Sequence, residues 1–203
     1  MSASSTTSRA YRVRLVVALA VAGLWFTGRD NEKAPVSDGT ELAAAVNKGP
    51  VAGGGGDPGT LCMPSSDGGA ATYSIDKLEN TANDDAIIEK VTVNEAENVK
   101  VLGIDVVPLS GSGTAGAPGY PPDPKLYRGT GFEWADRAPA TGAVLAPGDR
   151  SSVAIGLQLK TPTDSGSFLN LDVLYRVGDD TYQLTTSTKF MVAPAGRACN
   201  TTD

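Results

Sequence analysis

Leu169-Asn170-Leu171-Asp172-Val173-Leu174-Tyr175-Arg176-Val177-Gly178-Asp179-Asp180-Thr181-Tyr182-Gln183-Leu184 decides the fold. Leu169, Leu171, Val173, Tyr175 and Val177 recur at every second position, so one face of this segment is apolar and the other polar. That period belongs to a half-buried strand of an antiparallel sheet. Gly178-Asp179-Asp180 is a turn, and Tyr182 and Leu184 resume the alternation beyond it, which predicts a hairpin.

The same pattern extends outward in both directions. Tyr73, Ile75 and Lys77 alternate with Ser74 and Asp76; Val91 and Val93 follow Ile87 and Ile88; Val99 and Val101 lead to Ile104 and Val106. Val153, Ile155, Leu157 and Leu159 alternate with small or polar partners, and Phe190 and Val192 close the series. Asn83-Asp84-Asp85, Pro147-Gly148-Asp149 and Pro162 to Gly166 punctuate these runs as turns. Beyond residue 28 no stretch sustains a helical period. The reading is all-β: an antiparallel sandwich of about seven strands over residues 61–199.

The first thirty residues read differently. Arg9, Arg12 and Arg14 precede an apolar run from Leu15 to Thr27, with no acid before Asp30. A basic segment ahead of an apolar one is an export or anchoring signal with its N-terminus inside. Ala20-Val21-Ala22 is a poor cleavage site, which favours an uncleaved membrane helix over 13–28 behind a cytoplasmic segment 1–12; a cleaved signal and secretion are the alternative. No cysteine lies near residues 22–30 to carry a lipid. Residues 29–60, with the Gly53–Gly59 run, are expected to be a flexible linker. Within it, Thr40 to Lys48 has the pattern of two helical turns capped by Thr40.

Leu78-Glu79-Asn80-Thr81-Ala82-Asn83-Asp84-Asp85-Ala86-Ile87-Ile88 resembles the L-x-N-T-G-x-x-P-x-x-I strand–turn–strand signature of bacterial Ig-like and fibronectin-III-like domains. Leu145-Ala146-Pro147-Gly148-Asp149 is similar to the L-x-P-G turn of the same group. The resemblance covers residues 71–193 and implies an Ig-like β-sandwich, of the kind found in membrane-anchored envelope proteins of Gram-positive bacteria. A fold of this kind does not by itself specify a function.

Cys62 precedes the first expected strand and Cys199 follows the last. Outside the cytoplasm such a pair is expected to oxidise, closing the domain into one loop. The chain carries 17 basic and 23 acidic residues and no histidine. Setting aside Arg9, Arg12 and Arg14 makes the remainder still more acidic, which argues against nucleic acid as a partner. The lack of histidine removes the commonest general base and metal ligand.

Motifs for catalysis or cofactors do not survive their context. Gly111-Ser112-Gly113-Thr114-Ala115-Gly116 matches G-x-G-x-x-G, but Ala117-Pro118-Gly119-Tyr120-Pro121-Pro122 cannot open the helix a dinucleotide needs. Ser74-Ile75-Asp76-Lys77 matches S-x-x-K, yet it lies in an alternating strand, where residues three apart face opposite ways. Asp84-Asp85, Asp179-Asp180, Glu95 and Glu97 lack the spacing of a calcium loop. The expectation is a protein that is no enzyme and holds no cofactor or metal.

One segment holds more than fold. Residues 110–136 form a long proline-rich excursion containing Tyr120, Tyr127, Phe132 and Trp134, together with Lys125 and Arg128. Either these aromatics pack onto the sandwich, or the loop presents Tyr120, Tyr127, Arg128 and Trp134 to a partner in the cell envelope. A glycan- or small-ligand-binding module is the alternative function; a hydrolase is a more distant one.

Overall fold

The hairpin that anchors the sequence reading forms with Val177 opposite Asp180, leaving Gly178 and Asp179 as its two-residue turn. Gly178 has φ +59°, the left-handed value that the first position of a type II′ turn requires. The computed structural model describes residues 45–54, 59–111 and 116–199. Their strands are β1 (Ala45–Val46), β2 (Val51–Gly53), β3 (Gly59–Pro64), β4 (Ala70–Tyr73), β5 (Lys77–Asn80), β6 (Ala86–Asn94), β7 (Val99–Pro108) and β8 (Ala117–Pro118). They continue with β9 (Ala138–Pro139), β10 (Val144–Leu145), β11 (Arg150–Leu159), β12 (Gly166–Phe168), β13 (Asn170–Val177), β14 (Asp180–Thr185) and β15 (Thr188–Ala193). The described residues are all-β apart from 3-10 turns at Pro124–Tyr127 and Trp134–Asp136.

One sheet has the order β1-β14-β13-β6-β10; a second runs β2-β5-β11-β4-β8, with β7 also on β11 and β9 on β7; a third runs β12-β15-β3. The inward residues of all three meet in one core. Ile88, Leu171, Val173 and Tyr175 come from the first sheet, Leu78, Ile155 and Leu157 from the second, and Phe190 from the third. At its centre Tyr73 meets Phe190 and Phe168 edge-on, with ring centroids 4.8 and 5.1 Å apart.

The two turn signatures turn out to be one junction. Asn80 is fully buried, and its amide donates to the carbonyls of Asp84 (2.9 Å) and Leu145 (2.8 Å) while its Oδ1 accepts from the Ala82 amide (3.0 Å). Its own carbonyl accepts from Gly148, and its amide donates to the Asp149 carbonyl. One side chain therefore shapes the 81–85 turn and pins the 145–149 turn to it.

The structure corrects several expectations. The sandwich carries more strands than about seven, because short segments such as β2, β8, β9 and β10 add to the edges of the longer ones. It is not wholly antiparallel: β1 runs parallel to β14 and β3 parallel to β15. The run from Tyr73 to Lys77 is two strands, β4 and β5, broken at Ser74–Asp76. Residues 45–54, expected as linker, belong to the sheets. Val51 is buried and its amide donates to the Tyr175 hydroxyl (3.2 Å), and Asn47 exchanges hydrogen bonds with Gln183 and Thr185. The expected helix over Thr40–Lys48 is displaced at Ala45–Val46 by β1, whose tertiary pairing outweighs a two-turn helical preference. The expected membrane segment 13–28 and the n-region 1–12 lie outside the described residues. Among the described residues no helix is long and apolar enough to cross a membrane.

Cys62 and Cys199 are joined in a disulfide, with Cα atoms 5.6 Å apart and a separation of 137 positions in sequence. It ties β3 to the segment leaving its parallel partner β15. For a loop of this length the chain-entropy contribution is about 5 kcal/mol. Reducing the full chain should lower its unfolding free energy by about 3–5 kcal/mol in a urea titration; an unchanged midpoint and slope would contradict the staple.

Candidate functional site

β11 is buried on both faces. Val153, Ile155 and Leu157 point into the core, while Ser152, Ala154 and Gly156 point the other way and are equally inaccessible. The outward residues are small because a second layer lies on them. The register pairs Ser152 with Val107, Ala154 with Asp105 and Gly156 with Gly103, giving a shallow trough on the outer face of β11 and β7.

The excursion fills that trough as a strap. Tyr127, Phe132 and Trp134 form a second apolar cluster with Val107, Leu109, Ala117 and Ala154, and Tyr120 packs against it. Tyr120 lies over the Gly103–Gly156 pair, and a Cβ on Gly156 would meet its ring at 2.5 Å. Glycine within a strand here marks a close approach by another group. The Tyr120 hydroxyl donates to Asp105 Oδ2 (3.1 Å), and Arg137 Nε lies 3.8 Å from the same oxygen. The Arg137 guanidinium also stands 4.7 Å above the Trp134 ring and donates to the Trp134 carbonyl.

Backbone bonds stitch the strap down. Thr72 Oγ1 donates to the Gly119 carbonyl (2.6 Å), the Gly119 amide to Ala70, the Ser110 amide to Gly131 and the Glu133 amide to Pro108. The 3-10 turn at Pro124–Tyr127 is capped by the Asp123 carboxylate, which accepts from the Lys125 amide. Burial raises the Tyr127 hydroxyl above its usual pKa, against a lowering by its hydrogen bond with Ser74. The Tyr120 hydroxyl is raised too, by partial burial first and then by the Asp105 carboxylate.

The structure thus brings Tyr120, Tyr127 and Trp134 together but turns them inward. Tyr127 is 4 % and Trp134 8 % exposed, so neither is available as a bare hot-spot ring. Arg128 is exposed, as are Lys125 and Leu126, the last at 55 %. Beside this tip lies an open concavity of about 700 Å³, lined by Ser110, Arg128, Thr130, Phe132, Glu133 and Trp134. Sequence reasoning named Arg137 but passed over Leu126, Asp105 and the Gly103–Gly156 pair. The signal was present in the two glycines, each interrupting a run of strand residues.

The residues considered for chemistry are dispersed. Gly116 leads into β8 rather than a helix, and Ser74 opens the break between β4 and β5 while Lys77 begins β5. Asp76 is buried at that break, with Oδ2 accepting from the Tyr73 hydroxyl (2.6 Å). Burial, then the Asp76 charge, pushes the Tyr73 hydroxyl far up. Among the described residues no three His, Cys, Asp or Glu side chains converge on a metal-sized site.

No protein-family model and no curated relative matches the sequence. Among solved structures, the chain is similar to the Vibrio cholerae VesB protease, with 10 % identity and a TM-score of 0.36 over 71 % of this chain and 32 % of that one. It thus spans about a third of that protein's length. It is also similar to the ASH/PapD-like domain 7 of human CEP192, with 11 % identity and a TM-score of 0.37 over 73 % of this chain and 87 % of that one.

Placing a methyl group in the Tyr120 slot tests the strap. Gly156→Ala should destabilise the protein by about 2–3 kcal/mol, as overpacking of a closed site does. Tyr120→Ala should relieve most of that cost in the double variant, read by chemical denaturation. Additive effects would mean that Tyr120 does not occupy the slot.

Proposed function

We propose that the chain is a membrane-anchored, extracytoplasmic module with an Ig-like sandwich, and that it binds a protein partner of the bacterial cell envelope without catalysing a reaction. The basic and apolar N-terminal sequence supports the anchor, and the Cys62–Cys199 disulfide suits an oxidising compartment. The observation that carries the reading is the strap. A long excursion is folded rigidly onto a sheet, so that its tip, Lys125-Leu126-Tyr127-Arg128, is preformed. A preformed tip costs little ordering entropy on binding. Tyr127 and Trp134 serve as the foundation, and the contact falls to Leu126, Arg128 and the open edge of Tyr120. Arg128 makes no ion pair among the described residues, so its guanidinium is free for a partner.

A second reading, binding of a glycan or small ligand, draws on the concavity beside Arg128, where Ser110 and Glu133 supply polar groups. Wall fragments that raise the melting temperature, with the shift lost on Arg128→Ala, would favour it.

The test is crosslinking and capture of tagged full-length protein from its native membrane, beside a Leu126→Asp/Arg128→Glu variant. Both substitutions lie on exposed positions, so the melting temperature should stay within about 2 °C. One partner captured by the wild type and lost from the variant is the expected result. Equal capture by both would overturn the strap tip as the binding surface.

A further inference from the structure

A second concavity lies beside the Cys62–Cys199 disulfide, with Cys62 in its lining. Thr188, Phe190 and Val192 of β15 point into the core, so Lys189 and Met191 point outward. Cys62 stands beside Met191 in the parallel pairing of β3 with β15, and Ser167 of β12 stands on its other side. Beyond Ala193 the chain turns, with the Arg197 amide donating to the Pro194 carbonyl (3.1 Å) and Gly196 at φ +72°. The bond to Cys62 then draws Cys199 back to the sheet. The returning segment and the sheet border an open recess of about 480 Å³, lined by Lys189, Arg197, Ser165, Ser167, Met191 and Glu97.

Neither Lys189 nor Arg197 takes part in an ion pair among the described residues. The chain as a whole carries a net charge of −6, so two cations lining one recess stand against the field of the molecule. Glu97 is held at the rim by reciprocal backbone hydrogen bonds with Ser167, 2.8 and 2.9 Å long. Its carboxylate accepts hydrogen bonds but repels bare anions.

We infer that the recess between Lys189 and Arg197 binds a small oxyanionic ligand, a carboxylate or phosphate group, with neighbouring hydroxyls that Glu97 can accept from. Charge-assisted bonds from Lys189 and Arg197 hold the anion. The Glu97 acceptor favours a sugar acid over inorganic phosphate. Since the disulfide at Cys199 anchors the segment that carries Arg197, binding depends on the oxidised state.

The experiment is a titration of the isotope-labelled full chain in micelles with glucuronate and, separately, inorganic phosphate, at constant ionic strength. Amide shifts of Ser167, Lys189 and Ala198 are followed. Saturable shifts at these positions are expected, with glucuronate the tighter ligand. Lys189→Gln and Arg197→Gln, both surface changes that leave the core intact, should each weaken binding about tenfold. Saturation by phosphate alone would keep the anion site but overturn the role of Glu97. Absence of saturable shifts with both probes, or shifts indifferent to both substitutions, would overturn the site.

Discussion

The structure depends on a strand that is dry on both sides. β11 pairs with β4 and β5 on one edge and β7 on the other, and it lies between the core and the strap. A strand in that position must satisfy two packing problems with one alternating sequence. Val153, Ile155 and Leu157 supply volume to the core, and Ser152, Ala154 and Gly156 withhold it, leaving room for the aromatic layer. Each fully buried aromatic or branched side chain contributes roughly 1.5–3 kcal/mol relative to exposure. Two clusters meeting across one strand therefore couple the strap to the sandwich.

Asp76 and Asn80 carry hydrogen bonding across the breaks in this arrangement. Asp76 takes the Tyr73 hydroxyl, and its own carbonyl accepts from the Val153 amide and the Ser152 hydroxyl, so β11 keeps its hydrogen bonding across the break between β4 and β5. Asn80 does the same for two turns. At Asp76 the backbone carbonyl keeps the bonds to β11, and at Asn80 the side chain supplies those of the two turns. The strap shows the same economy, with Arg137 serving both Asp105 and Trp134.

Period-two alternation was enough to read the sheets, because a residue facing a core must be apolar and its neighbours need not be. Leu171, Val173 and Tyr175 are buried as their spacing requires, and Asn80 and Leu145 meet as members of the two turn signatures. The outer face of β11 misled the same rule. Ser152, Ala154 and Gly156 look like a wet face, and only the position of a distant segment makes them a covered one. β1 and β2 were hidden for a related reason: their place is set by pairing with β14 and β5, and three or fewer residues leave no period to detect. The aromatics of the excursion were visible by type, but their direction was not, since a loop has no periodicity to say which way a ring points. The recess beside the disulfide was illegible, being created by the return of the segment after β15.

The most direct measurement is native-state hydrogen exchange on the full chain, comparing amides of β11 with those that fasten the strap. The Gly119, Thr130 and Glu133 amides donate to Ala70, Tyr127 and Pro108. If the two layers depend on one strand, these amides should exchange only in the same cooperative opening as Val153 to Leu157, with matching denaturant dependence. Exchange of the strap amides at a much lower free energy, while β11 stays protected, would show a loose cover on an independent sandwich and contradict the account.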